Sequence, residues 1–139
     1  MGRSRGGFTT KLHLAAADEA TALSVVLTAG QRHDTVAFPE LLAGVPDECP
    51  VELGVGDRAY DSDEVRDLLL DRDIGPNIPS KSNRVEPIEH DADVYKERNR
   101  VERLVGKLKQ FRRVATRYEK LGTTFIALVH AVAAFIMIR

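Results

Sequence analysis

Apolar and polar positions alternate along Phe8-Thr9-Thr10-Lys11-Leu12-His13-Leu14, and after a polar turn at Asp18-Glu19-Ala20-Thr21 the stretch Leu23 to Thr28 is β-branched and apolar. A period of two on both sides of a turn predicts an antiparallel hairpin. The loop Gly30-Gln31-Arg32-His33-Asp34 follows, with Asp34 placed to cap a helix that runs to about Ala43 and carries Phe38, Leu41 and Leu42 on one face. Pro46 and Pro50 frame the next connection. Val51 to Gly56 reads as a short strand ending at Asp57, and Ser62 opens a helix from Asp63 to Leu70 with acidic residues suited to its first turn. Gly75-Pro76-Asn77-Ile78-Pro79 predicts another short strand and Lys81 to Asp93 a polar loop. Helices are predicted over Val94 to Arg113 and from about Thr123 to Ile138.

Strands and helices alternate after the opening hairpin, so the expected fold class is α/β, a four-stranded sheet with helices on its faces. The hairpin begins almost at Met1, which suggests that a strand is missing. The 139 residues suffice for one domain with a real core. The composition, 43% hydrophobic and 29% charged, argues against disorder and low complexity. Cys49 is the single cysteine, which excludes an intramolecular disulfide and fits a reducing cytosol; a buried structural thiol is the expected role. The basic N-terminus has no apolar run behind it and Phe125 to Ile138 falls short of the roughly 20 residues that cross a bilayer, so a cytoplasmic protein is expected.

The net charge of −1 conceals a split: residues 1–93 carry 9 Lys and Arg against 18 Asp and Glu, whereas residues 94–139 carry 11 against 3. Such asymmetry points to a polyanion or metal partner at one region. Within the predicted 94–113 helix, Tyr95, Arg98, Glu102 and Lys109 recur at i, i+3, i+7 and i+14, which keeps them on one stripe, beside an apolar stripe of Val101, Leu104, Val105 and Leu108. Spacing of this kind also occurs on ordinary solvated helices. Asp57 lies where a strand ends, the usual place for ligands in open α/β sheets, although a lone aspartate before a helix is commonly a turn or cap residue, the role expected of Asp61 and Asp63. His13, His33, His90 and His130 show no metal-ligand spacing.

The series Tyr95-x2-Arg98-x3-Glu102-x6-Lys109 resembles the tyrosine, arginine, glutamate, lysine signature of bacterial insertion-sequence transposases of the DDE type. Four further segments, Gly2 to Lys11, Gly30 to Asp34, Gly56 to Ser62 and Arg98 to Arg103, resemble that family in the same order. The resemblance implies a ribonuclease H-like catalytic fold, N-terminally truncated over residues 1–139, with Asp57 and Glu102 as the second and third carboxylates of a metal site for Mg²⁺ or Mn²⁺, two ions in the complete enzyme. Oxygen ligands suit such hard cations, and a pair of ions clamps the attacking and leaving oxygens of phosphoryl displacement. The implied function is metal-dependent cleavage of DNA strands and their transfer during transposition of an insertion sequence.

The DNA contacts implied are Tyr95, Arg98 and Lys109 at the cut end, and the basic residues Arg100, Arg103, Arg112 and Arg113 along the backbone, with Lys96, Lys107, Arg117 and Lys120 nearby. The partners expected are the element's ends and target DNA, an upstream reading-frame product or a second copy, and no membrane; bound protein would sit at the bacterial nucleoid. The family's first aspartate lies on a strand upstream of the segment that begins here at Gly2. Asp18 and Asp34 are poor substitutes, so the isolated chain is expected to be inactive, either the carboxyl-terminal part of a transposase completed by another frame or an inactive remnant that binds DNA or a full-length subunit.

Overall fold

A computed structural model describes residues 2–4, 7–116 and 121–139. The predicted hairpin is present as β2 (Gly7–Ala16) and β3 (Ala22–Ala29), antiparallel with Leu12 opposite Leu27 and Leu14 opposite Val25. Asp18 makes the turn, its Oδ1 accepting the N–H groups of Ala20 and Thr21 at 2.8 Å. A strand not foreseen, β1 (Gly2–Ser4), pairs with Gly7–Thr9 on the other edge of β2.

Helix α1 (Asp34–Ala43) buries Ala37, Leu41 and Leu42. Asp34 does not cap it. The cap position is His33, which makes no side-chain cap bond, because the Asp34 carboxylate is taken by Lys11 Nζ of β2 at 3.0 Å. Strand β4 is confined to Leu53–Val55 and pairs in parallel with β5 (Gly75–Asn77), both shorter than the apolar runs suggested. Each has a neighbour on one side only, and Pro76 has no N–H to donate.

Helix α2 (Asp63–Leu70) starts as its sequence predicts, with Ser62 Oγ accepting the Val65 N–H at 3.2 Å. It ends in a Schellman motif: Asp73, at φ 57°, donates its N–H to Leu70 O, and Ile74 donates to Leu69 O. The chain thereby reverses into β5 while Ile74 packs on Leu69.

The helix predicted over 94–113 is not continuous. It divides into α3 (Ala92–Tyr95), a 3₁₀ turn (Lys96–Arg98), α4 (Asn99–Lys109) and α5 (Arg112–Thr116). Asp91 starts it early, its Oδ1 accepting the N–H groups of Asp93 and Val94. The bend at Gln110 and Phe111 lets Phe111 set its ring edge-on against Phe135, with centroids 5.9 Å apart. Leu104 and Leu108 of the predicted apolar stripe are fully buried, Val101 and Val105 partly so. Helix α6 (Gly122–Ile138) buries Phe125, Val129, Val132 and Ala133 against α4, α5 and β3. No helix among the described residues is long and apolar enough to cross a membrane.

The architecture is α/β, but the expected single sheet is two: β1-β2-β3 and β4-β5 share no backbone pairing. Between β2 and β4 lies an apolar slot of about 180 Å³, lined by Leu14 to Ala16 on one side and Leu53 to Gly56 on the other, with Phe38, Tyr60 and Val101 at its ends.

Candidate active site

Asp57 stands two residues past the end of β4 and opens a 3₁₀ turn (Arg58–Tyr60). Its Oδ1 accepts the Ala59 N–H at 2.9 Å, so it does have the local capping role that an aspartate before a helix commonly plays. Its other oxygen faces outward. Oδ2 lies 3.4 Å from Arg98 Nη2, and Nη1 of the same guanidinium donates to Glu102 Oε1 at 2.5 Å. One arginine thus joins a carboxylate at a strand end to a carboxylate in the first turn of α4. Arg98 is 31% exposed, Asp57 36% and Glu102 55%, so the cluster sits half-open to solvent at the rim of the core.

Two shallow hollows flank it. The first, about 460 Å³, is bounded by Asp57, Arg58, Pro79, His90 and Tyr95, with the His90 and Tyr95 rings edge-on at 5.5 Å. The second, about 410 Å³, runs along α4 past Arg98, Glu102 and Gly106 to Lys109. The predicted stripe is therefore divided: Arg98, Glu102 and Lys109 share one hollow, and Tyr95, beyond the 3₁₀ turn, joins Asp57 in the other.

Among the described residues, none of the other basic residues expected at DNA lines either hollow. Arg100 pairs with Glu97 at 2.6 Å, Arg103 with Glu19 at 2.9 Å and Lys96 with Asp93 at 3.0 Å, and Lys107 Nζ donates to the Glu19 carbonyl at 2.9 Å. Arg112 and Arg113 are exposed at the start of α5. Exposed pairs of this kind hold their partners weakly, so these cations can exchange them for phosphates. Arg117 and Lys120 fall outside the described residues.

Three features escaped the sequence reading. Asp61 is a buried hub: its side chain is 1% exposed and accepts from Arg66 Nη2 at 3.0 Å, Arg84 Nη2 at 2.7 Å and the Lys81 N–H at 2.7 Å. Arg84 also reaches Asp63 at 2.8 Å, so neither aspartate acts as the cap predicted for it, and the loop after β5 is stapled to α2. Burial alone would raise the Asp61 carboxyl, but the hydrogen bonds from Arg84, Lys81 and Arg66 outweigh it and hold the group well below the usual carboxylate range. The second feature is His13, 4% exposed, with Nδ1 3.1 Å from the Tyr60 hydroxyl and Nε2 2.8 Å from Thr28 Oγ1. Burial lowers its pKa, while burial and the Asp34 and Asp57 charges push the Tyr60 hydroxyl up to about 12. The third is Cys49, which is only half-buried, not a core thiol. The Arg84–Asp61 and Tyr60–His13 contacts had no local signal, since those partners lie on distant elements.

A half-open pair of carboxylates on a shared cation, with Arg58 and Lys109 lining the adjoining hollows, suits chemistry on a polyanionic phosphodiester. Comparison identifies the class. The transposase DDE domain matches residues 2–137, and the chain belongs to that family. It is also 33% identical over 137 residues to a Brucella ovis protein described as a transposase for insertion sequence element IS6501, covering 94% of this chain and 99% of the relative. No solved structure matches it. Transposase function and DNA as the partner follow from that membership, and the family generally works with divalent metal ions. The donor chemistry here fits such ions, since Asp57 and Glu102 present carboxylate oxygens. Among the described residues, however, no three His, Cys, Asp or Glu side chains group together to hold a metal.

Proposed function

We propose that this chain is the catalytic part of an insertion-sequence transposase with a ribonuclease H-like fold, cleaving DNA strands at the element's ends and joining them to target DNA. The observation that carries the reading is the convergence of Asp57 and Glu102 on Arg98 from elements far apart in sequence. Mg²⁺ or Mn²⁺ held by these two carboxylates would polarise the phosphodiester and lower the pKa of the attacking water. Arg98 and Lys109, sharing the hollow with Glu102, neutralise the phosphate beside the cut. Tyr95 packs against the DNA end in the hollow it shares with Asp57. Arg100, Arg103, Arg112 and Arg113 hold the flanking backbone without reading sequence.

The slot between β2 and β4 supports a further strand as the source of the third carboxylate. Among the described residues β2 pairs from Lys11 onward on its β3 side alone and β4 pairs with β5 alone, and residues of both strands, with Tyr60 and Val101, line an apolar slot. A protein reconstituted with that strand should nick and join element ends in Mg²⁺, and Glu102→Gln should abolish both steps. Undiminished activity of the variant would sink the assignment. Among the described residues no three carboxylates group together, which favours a second reading for the chain by itself, an inactive form that binds DNA or a full-length subunit. Retention of element-end DNA without nicking by the chain alone, and no rescue by the added strand, would select it.

A further inference from the structure

Asp57 and Glu102 ride on different bodies. Asp57 follows β4, which belongs with β5 and α2; Glu102 belongs to α4, which packs on β2 and α6. Helix α4 is also tied to the β2–β3 turn, through Arg103 to Glu19 Oε2 and Lys107 to the Glu19 carbonyl, both at 2.9 Å. Among the described residues no backbone pairing joins the two sheets; α1 packs on β2 and β3 and also on α2 and the 3₁₀ turn after Asp57, and nearer the site side chains span the gap.

Arg98 spans it, but by gripping the carboxylates themselves, and a cation bound there would compete for the same oxygens. The second span lies behind the site. Tyr60 shares the 3₁₀ turn of Asp57, and its N–H donates to the Asp57 carbonyl at 3.0 Å. Its ring packs on Phe38 of α1, with centroids 5.9 Å apart. Its hydroxyl meets His13 Nδ1 on β2 at 3.1 Å, and the other ring nitrogen meets Thr28 on β3 at 2.8 Å. A neutral imidazole has one nitrogen that donates and one that accepts, so both bonds can be made at once. Removing either end leaves a buried polar atom without its partner.

We infer that Tyr60 and His13 are positioning residues: their hydrogen bond, anchored by Thr28, is the strut that sets the distance between the Asp57 turn and the helix of Glu102. The inference rests on the reading of those two carboxylates as the metal site, whereas the strut itself is a property of the fold and is measurable without metal.

The test is a distance measurement by double electron–electron resonance between nitroxides on cysteines introduced at the exposed positions Asp67 of α2 and Gln110 after α4, in a Cys49→Ser background. The unaltered site should give one narrow distribution. Tyr60→Phe and Thr28→Val should shift or broaden it while the far-ultraviolet dichroism stays the same, and His13→Asn, which keeps a polar atom near Nδ1, should fall closer to the parent than His13→Leu. A distribution unchanged in Tyr60→Phe and Thr28→Val overturns the inference. Mn²⁺ titration of the same proteins, read from the electron resonance of free Mn²⁺, separates the two readings. Weaker Mn²⁺ binding in step with the altered distance supports both. An altered distance with Mn²⁺ binding that is absent, or indifferent to Asp57→Asn and Glu102→Gln, leaves the strut in place and removes the metal site.

Discussion

At the scale of single residues, two aspartates four positions apart have opposite fates. Asp57 keeps one oxygen turned outward at 36% exposure, while Asp61 is sealed among arginines. The sealed one governs stability. Removing one partner of a buried ion pair strands the other, so Asp61→Asn should cost about 3 kcal/mol in chemical unfolding. The sign of its pH dependence follows from its depressed titration. The folded protein holds this carboxylate below the unfolded value of about 4, so its contribution is complete above about pH 5 and drains away as the pH falls further. The variant should lose that acid-side slope, which unfolding curves between pH 6 and 3 would show. Arg66 is only five residues from Asp61, but its spacing does not mark it as a buried partner, and Arg84 is not legible because its ion pair closes across a loop.

At the scale of elements, legibility tracked the range of the interactions. The β2–β3 hairpin, Ser62 at the start of α2 and the apolar face of α6 were readable, since each is written in neighbouring residues. Asp34 was misread because Lys11, on another strand, outbids the cap that its position suggests. The helix predicted over 94–113 starts early at the Asp91 cap and is interrupted by the 3₁₀ turn at Lys96–Arg98 and the bend at Gln110 and Phe111, where Phe111 turns to Phe135, although the periodicity continues through both. Its central piece, α4, matters most to the site, and Leu104, with no exposed surface, holds it down. Leu104→Ala should destabilise the fold by about 3 kcal/mol, measured by denaturant unfolding. Leu70→Ala, at an exposed position, should cost far less.

At the scale of the whole molecule, the basic part of the charge split falls on the helices that carry Arg98, Glu102 and Lys109, and an apolar slot is lined by residues of both sheets. The candidate site was legible in its residues but not in its connections: the spacing from Tyr95 to Lys109 named the side chains, while the role of Arg98 as a shared partner emerged only when β4 and α4 met. DNA affinity should fall linearly with the logarithm of salt concentration, and replacing Arg100 and Arg112 together by alanine should lower that slope by about 2, as filter binding or anisotropy would record. An unchanged slope would mean that the backbone passes elsewhere.

The shared guanidinium has one more consequence. While Arg98 lies between Asp57 and Glu102, its guanidinium offsets only part of the charge of the two carboxylates it holds and is itself withheld from phosphate. A cation that claims the carboxylates releases Arg98 to phosphate, and a phosphate that claims Arg98 uncovers the carboxylates. On the proposed metal site the two associations would therefore be linked with positive sign, and linkage is reciprocal: each would strengthen the other by the same factor. On the proposed reading of the site, a single side chain would thus be the lever by which cation and phosphate each favour the other's binding.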